Sequence, residues 1–126
     1  MQLLPASPSD AADFARIHRR AFASGPKFVH LFSDCTEDAL DAHMIMRVNL
    51  YLSLPDKRLF KAVIDGRTVA WTWWDVPCAE QVVMPRRSFP VGTKEDVAAD
   101  LFERMRVNAA PMPCYGQDSS SRPDCR

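Results

Sequence analysis

Residues 58–76 read RLFKAVIDGRTVAWTWWDV. Two runs rich in β-branched and aromatic residues flank Asp65-Gly66, a pair favoured in two-residue hairpin turns because both central residues must take positive φ. The stretch is therefore read as an antiparallel hairpin over about 58–76. An uninterrupted register from that turn sets Ala62 opposite Val69 and Phe60 opposite Trp71 on one face. Lys61 then meets Ala70, and Leu59 meets Thr72, on the other. Both faces carry apolar residues, so the expectation is a sheet covered on both sides. Alternation puts Trp71 and Trp73 on one face and Trp74 on the other.

Working outward, a helix is expected on each side of the hairpin. Upstream, Asp34 and Glu37 stand at a capping-box spacing, and Leu40, Met44, Val48 and Leu52 recur at intervals of four until Pro55 stops the run. Further upstream, the cluster SPSD (7–10) caps a helix running from Asp10 to about Ala23. Its apolar stripe comprises Ala11, Phe14, Ala15, His18, Ala21 and Phe22. The segment KFVHLF (27–32) reads as an apolar linker between these helices, and the opening MQLLP as a short strand. Downstream, Thr93 and Asp96 introduce a third helix carrying Val97, Ala98, Leu101, Phe102 and Met105 on one side, ended by Pro111 and Pro113. The expected architecture is a mixed α/β domain over residues 1–115, a small antiparallel sheet flanked by three helices. Cys114 and Tyr115 begin a further strand that breaks off at once, because residues 116–126 (GQDSSSRPDCR) offer neither β propensity nor anything to bury; that tail is read as disordered.

The chain has 126 residues, 47% of them hydrophobic and 25% charged, the composition of a single globular domain. Sixteen basic residues balance sixteen acidic ones, so no overall field draws in nucleic acid or an anionic membrane surface. The N-terminus lacks a basic lead and a sustained apolar run, and no stretch of about 18 consecutive apolar residues suggests a membrane span. Cys35, Cys78, Cys114 and Cys125 contain no C-x-x-C pair and fit reduced thiols. An intracellular, cytoplasmic location is expected.

The order strand, helix, helix, hairpin, together with Ala6, Asp10, Ala11, Ala15, Ile17, Ala21 and Phe22 in the first helix region, resembles the GNAT (Gcn5-related) N-acetyltransferases, in particular their fungal acetyltransferase-like members. Phe60, Lys61, Ala62, Val63 and Asp65 match a first hairpin strand of that family, and PMPCY (111–115) looks like the approach to its central strand. The resemblance implies an acyltransferase that moves an acetyl group from acetyl-CoA to a primary amine, on a small molecule or a peptide. It also implies a glycine-rich loop after the central strand, where backbone N–H groups cradle the coenzyme's pyrophosphate. Here Gly25, Gly66, Gly92 and Gly116 are isolated, so the chain is expected to correspond to the N-terminal half of the family's fold, to hold no acetyl-CoA and to be inactive. A truncation, a shifted reading frame or a mispredicted exon would account for the tail. The alternative is a non-catalytic interaction module or an incompletely folded fragment, whose tryptophan-bearing strand, left with an unpaired edge, associates with another copy.

No catalytic, cofactor-binding or metal-binding residue is assigned. Trp71 and Trp73 are the candidates for an aromatic substrate-pocket wall. Phe28 joins them because the family's loop between its first two helices borders the acceptor. His18 is read as a core-margin residue with one ring nitrogen hydrogen-bonded. His30, Cys35 and His43 fit no zinc spacing. H-E-x-x-H, G-x-S-x-G and P-loop motifs are missing. Asp38 and Asp41 are read as solvated helix surface, and Arg86 and Arg87 as a solvent-facing pair.

Overall fold

The computed structural model describes residues 1–80 and 82–108. The chain divides into two compact units, Met1–Glu95 and a second from Asp96 onward. The first unit contains β1 (Gln2–Pro5), a 3-10 turn (Pro8–Asp10), α1 (Ala11–Phe22), α2 (Pro26–Phe32), α3 (Glu37–Ser53), β2 (Lys57–Ile64) and β3 (Arg67–Asp75). Helix α4 (Glu95–Asn108) makes up the described part of the second unit, where Arg104 pairs with Asp100 and Arg106 with Glu103 on its surface. The expected strand at Cys114-Tyr115 and the tail 116–126 lie outside the described residues. No helix among the described residues is long and apolar enough to cross a membrane.

The sheet is mixed with helices as expected, with strand order β1-β2-β3, all antiparallel. Asp65 and Gly66 adopt φ of 50° and 73°, the paired positive values that a two-residue turn requires. The first pairs after the turn, Ile64 with Arg67 and Val63 with Thr68, follow the expected register. It then slips: Ala62 pairs with Ala70, leaving Val69 as an extra residue, so Lys61 meets Trp71 and Leu59 meets Trp73. This β-bulge corrects the uninterrupted register, and it turns Trp71 and Trp73 to the face shared with Leu59.

That face is the covered one. Ala11, Phe14 and Ala15 of α1, Met44 and Val48 of α3 and Leu59 of β2 form one buried cluster, against which Trp71 packs. The α3 stripe at intervals of four thus does what its spacing predicts. The opposite face, carrying Leu3, Phe60, Ala62 and Trp74, is not sealed; Leu3 is 67% and Trp74 60% exposed. Apolar content on both faces therefore did not imply cover on both.

Two further expectations change. KFVHLF is not a linker: Gly25 supplies the N-cap and Pro26 the first position of the seven-residue helix α2, where proline's fixed φ suits a helix start. Described helices thus number four rather than three. The cap of α3 is Thr36, not Asp34, and its Oγ1 accepts the Ala39 N–H at 3.1 Å.

The start of α1 is fastened to the sheet by charge. Asp10 is buried, accepts the Ser7 N–H at 2.8 Å, and takes a 2.7 Å hydrogen bond from Lys61 Nζ on β2. Burial pushes its carboxyl upward, but the Lys61 and Ser7 hydrogen bonds outweigh that and hold its pKa below the ordinary value. Farther along, Arg19 joins α1 to α3 through Asp41 at 2.9 Å, so Asp41 is not the free surface residue expected. The segment after β3 returns along α2 and α3: Lys94 N–H donates to Leu31 O at 3.2 Å, and Gly92, with φ of 94°, lies against Asp34.

A folded pKa below the unfolded one stabilises above the unfolded value and is lost on acidification, so Asp10 contributes in full at neutral pH, and the contribution begins to fall below roughly pH 4 and is gone once the pH has dropped through the lower folded pKa. Asp10→Asn should lower stability at pH 7 by about 1.5–3 kcal/mol and flatten the acid limb of the urea-midpoint profile. A Cβ on Gly92 would sit 2.7 Å from Asp34 O, whereas one on Gly66 meets nothing within 4 Å. Gly66→Ala should cost about 1–2 kcal/mol of backbone strain, and Gly92→Ala about 1–3 kcal/mol more from overlap, compared by chemical denaturation.

Candidate functional site

Adjacent strands lie about 4.8 Å apart, whereas packed helices stand about 8–10 Å apart. Helix α3 packs on β2, and α1 packs on both α3 and β3. Helix α1 thereby covers β3, the last strand of the sheet among the described residues. Between the helix and this strand lies a groove of about 330 Å³. Its wall on the helix side is Ile17, His18, Ala21 and Phe22; its other wall is residues 70–73 of β3. Side chains alternate between faces of a strand, so four consecutive lining residues mean that backbone atoms of β3 join its inward side chains in the wall.

An aromatic series braces this wall. The Phe14 and Trp71 rings stack at 4.7 Å with 5° between planes, and the Trp71 indole N–H donates to Phe14 O at 3.1 Å. Trp73 follows at 5.8 Å from Trp71, then Tyr51 at 5.7 Å from Trp73. Arg47 closes the series by donating to the Tyr51 hydroxyl at 2.7 Å. Aromatic neighbours of this kind fix one another's orientation beyond the area they bury.

His18 is the single titratable side chain among the lining residues. It packs on Phe22 at 4.7 Å between ring centres and, contrary to expectation, makes no hydrogen bond with the described residues. Burial, followed by the nearby Arg47 charge, pushes its pKa below the ordinary histidine value, so it is neutral at pH 7. The groove therefore combines apolar walls, one neutral imidazole and the backbone of a strand. It has no carboxylate, thiol or amine in its lining.

Of the residues expected to form a pocket, Trp71 and Trp73 line this groove, while Phe28 lies on α2 against Phe32 at 5.0 Å and takes no part in it. Ile17, His18, Ala21 and Phe22 were legible as helix residues but not as a wall, since a stripe does not reveal which strand a helix crosses. The histidines and Cys35 do not converge; among the described residues no group of three or more His, Cys, Asp or Glu could hold a metal ion. Cys35 Sγ faces Thr93 Oγ1 at 3.6 Å, and His30 is exposed. His43 Nε2 donates to the Ser88 carbonyl at 2.9 Å, which commits that nitrogen as a donor and removes it as a base for the Ser88 hydroxyl 3.4 Å away. Burial foremost, together with Arg47 and Arg87, lowers the His43 pKa, although the Ser88 carbonyl opposes them.

Comparison with protein-family models, curated proteins and solved structures finds no match to this chain.

For a histidine whose folded pKa is depressed, the unfolded chain binds the proton more readily, so the contribution is complete above the unfolded pKa and falls as pH drops below about 6.5. An NMR titration should place the His18 midpoint below that value. Arg47→Met should return it only partway, because burial is the larger cause; a midpoint fully restored by Arg47→Met would show that charge, not burial, governs the site.

Proposed function

We propose that this chain is the acceptor-side portion of an N-acetyltransferase of the Gcn5-related type, and that it does not hold acetyl-CoA by itself. The carrying observation is the groove between α1 and β3, the strand that ends the sheet among the described residues, beside strands β1, β2 and β3 that follow one another across the sheet in chain order. The resemblance implies that the family's central strand enters at this edge. Trp71 and Trp73 would then border the acceptor amine.

In the assembled reaction the amine nitrogen attacks the thioester carbonyl carbon, the carbon–sulfur bond breaks, and the thiolate leaves to be protonated. A backbone N–H polarises the carbonyl, and a base removes the amine proton. The described glycines of this chain support the view that the coenzyme's diphosphate has no cradle here. Gly25 caps a seven-residue helix whose first residue, Pro26, has no N–H to offer; Gly66 is spent on the hairpin turn; Gly92 is pressed against Asp34. The reading also places the protein in the reducing cytoplasm, where Cys35 and Cys78 remain free thiols.

Calorimetry with acetyl-CoA should give no binding heat for residues 1–126 alone. Mixing the chain with a polypeptide that carries a strand and an R/Q-x-x-G-x-G/A loop heading a helix should produce thiol release from acetyl-CoA in the presence of primary amines. Stoichiometric binding by the lone chain would refute the missing-cradle claim. Thiol release no greater than that of the second polypeptide alone would refute the acetyltransferase reading.

A further inference from the structure

We propose that Ser88 is a phosphorylation site, modified by a protein kinase whose substrate groove is acidic, and that the phosphate is afterwards held by His43 and Arg47 of α3 together with Arg87. The inference does not rest on acetyl transfer.

The acceptor is presented as a kinase requires. Residues 82–90 carry no regular secondary structure, and Val83, Met84, Pro85, Arg86, Arg87 and Ser88 are all exposed. Such a segment can lie in an enzyme's cleft, which a residue inside a helix or strand cannot do without unfolding. Two arginines immediately precede the hydroxyl, so an acidic groove selects this stretch by charge complementarity. Downstream the chain is fixed: Pro90 is buried, and its carbonyl accepts the Thr93 hydroxyl at 2.6 Å. Recognition therefore falls on the side N-terminal to Ser88, where the arginines stand.

The chain itself does not activate the hydroxyl. His43 Nε2 lies 3.4 Å from Ser88 Oγ but gives its proton to the Ser88 carbonyl at 2.9 Å, and a nitrogen that donates takes up no proton. The base must come from the kinase. A carboxylate of that enzyme takes the hydroxyl proton, and Oγ forms a bond to the γ-phosphorus of a nucleoside triphosphate. The bond from that phosphorus to the bridging oxygen breaks, and the nucleoside diphosphate leaves.

The product has a prepared partner. His43 and Arg47 stand four residues apart on α3, hence on one face of the helix. The charges acting on His43 are those of Arg47 and Arg87, both positive. A phosphoryl group on Oγ brings about two negative charges and three acceptor oxygens to the ring nitrogen that already faces residue 88. Arg47, which donates to the Tyr51 hydroxyl at 2.7 Å, can turn from a neutral acceptor to a charged one, which makes the stronger bond. Phosphorylation thus adds a charge-paired cluster to the neutral His43–Ser88 hydrogen bond and fastens the return segment to α3.

For the test, the whole chain and, as a control, the peptide 82–92 are incubated with magnesium ATP and a kinase selective for basic sequences. Mass spectrometry maps the products. One phosphate is expected on Ser88 in both, and none in Ser88→Ala. In the modified chain, proton NMR should find the His43 midpoint raised by about one pH unit, and phosphorus NMR should find the phosphate titrating below about pH 6. Combining His43→Gln with Arg47→Met should return the phosphate to about 6 while Ser88 is still modified. An exposed phosphoserine with no receptor would titrate at about 6 and leave His43 unmoved, and that result would overturn the proposal. So would modification of the peptide but not of the folded chain, of neither, or of another residue instead. Inorganic phosphate added to the unmodified chain should leave the His43 midpoint in place; an equal rise would overturn the proposal by assigning the cluster to a free anion.

Discussion

The contact between Phe14 and Trp71 is the joint on which this unit turns. Phe14 is fully buried, its ring lies flat against the indole, and its carbonyl receives the indole N–H. One residue pair thus combines apolar burial, ring stacking and satisfaction of a polar hydrogen that burial would otherwise strand. It binds α1 to the last strand of the sheet, while the Arg19–Asp41 and Asp10–Lys61 pairs hold the same helix to α3 and to β2. Because α1 is anchored on β3, the second half of the helix faces that strand and the groove lies between them. Core and candidate site are consequences of one placement.

Much of the scaffold was legible in local chemistry. Asp65-Gly66 declared its turn because few other pairs tolerate two positive φ values in succession. The stripes of α1 and α3 were legible because Phe14, Met44 and Val48 repeat at helical spacing and are the residues that end up buried. Helix α2 was not, since seven residues span barely two turns, too few for periodicity to separate a helix from an apolar linker. The Val69 bulge was silent for a different reason: a valine in a β-rich run looks the same whether paired or extruded, and only packing against α1 selects between the two.

The site was half visible. Aromatic density singled out Trp71 and Trp73, but nothing local distinguishes a tryptophan that lines a groove from one that fills a core. What makes the difference is where a helix crosses its strand, a property of assembly rather than of any short window. His18 illustrates it: its place on an apolar stripe suggested a core-margin histidine, and the packing of α1 on β3 makes it part of the groove wall. Phe28, on a separate helix against Phe32, is not gathered to the groove.

The extruded valine has a consequence for how this hairpin encodes its own threading. Without it, Ala70, Thr72 and Trp74 would point toward the helices, and the indole that stacks on Phe14 would face outward. Since the strand carries W-T-W-W, an indole stands in either phase, so hydrophobicity alone scarcely distinguishes the two threadings. The tie is broken by shape: Trp71 in the observed phase stacks on Phe14 and donates to its carbonyl, whereas in the other phase an alanine would take that place and the nearest inward indole would be four residues farther along. A helix on the far side of the core thus acts as the gauge against which a two-stranded ribbon counts its residues.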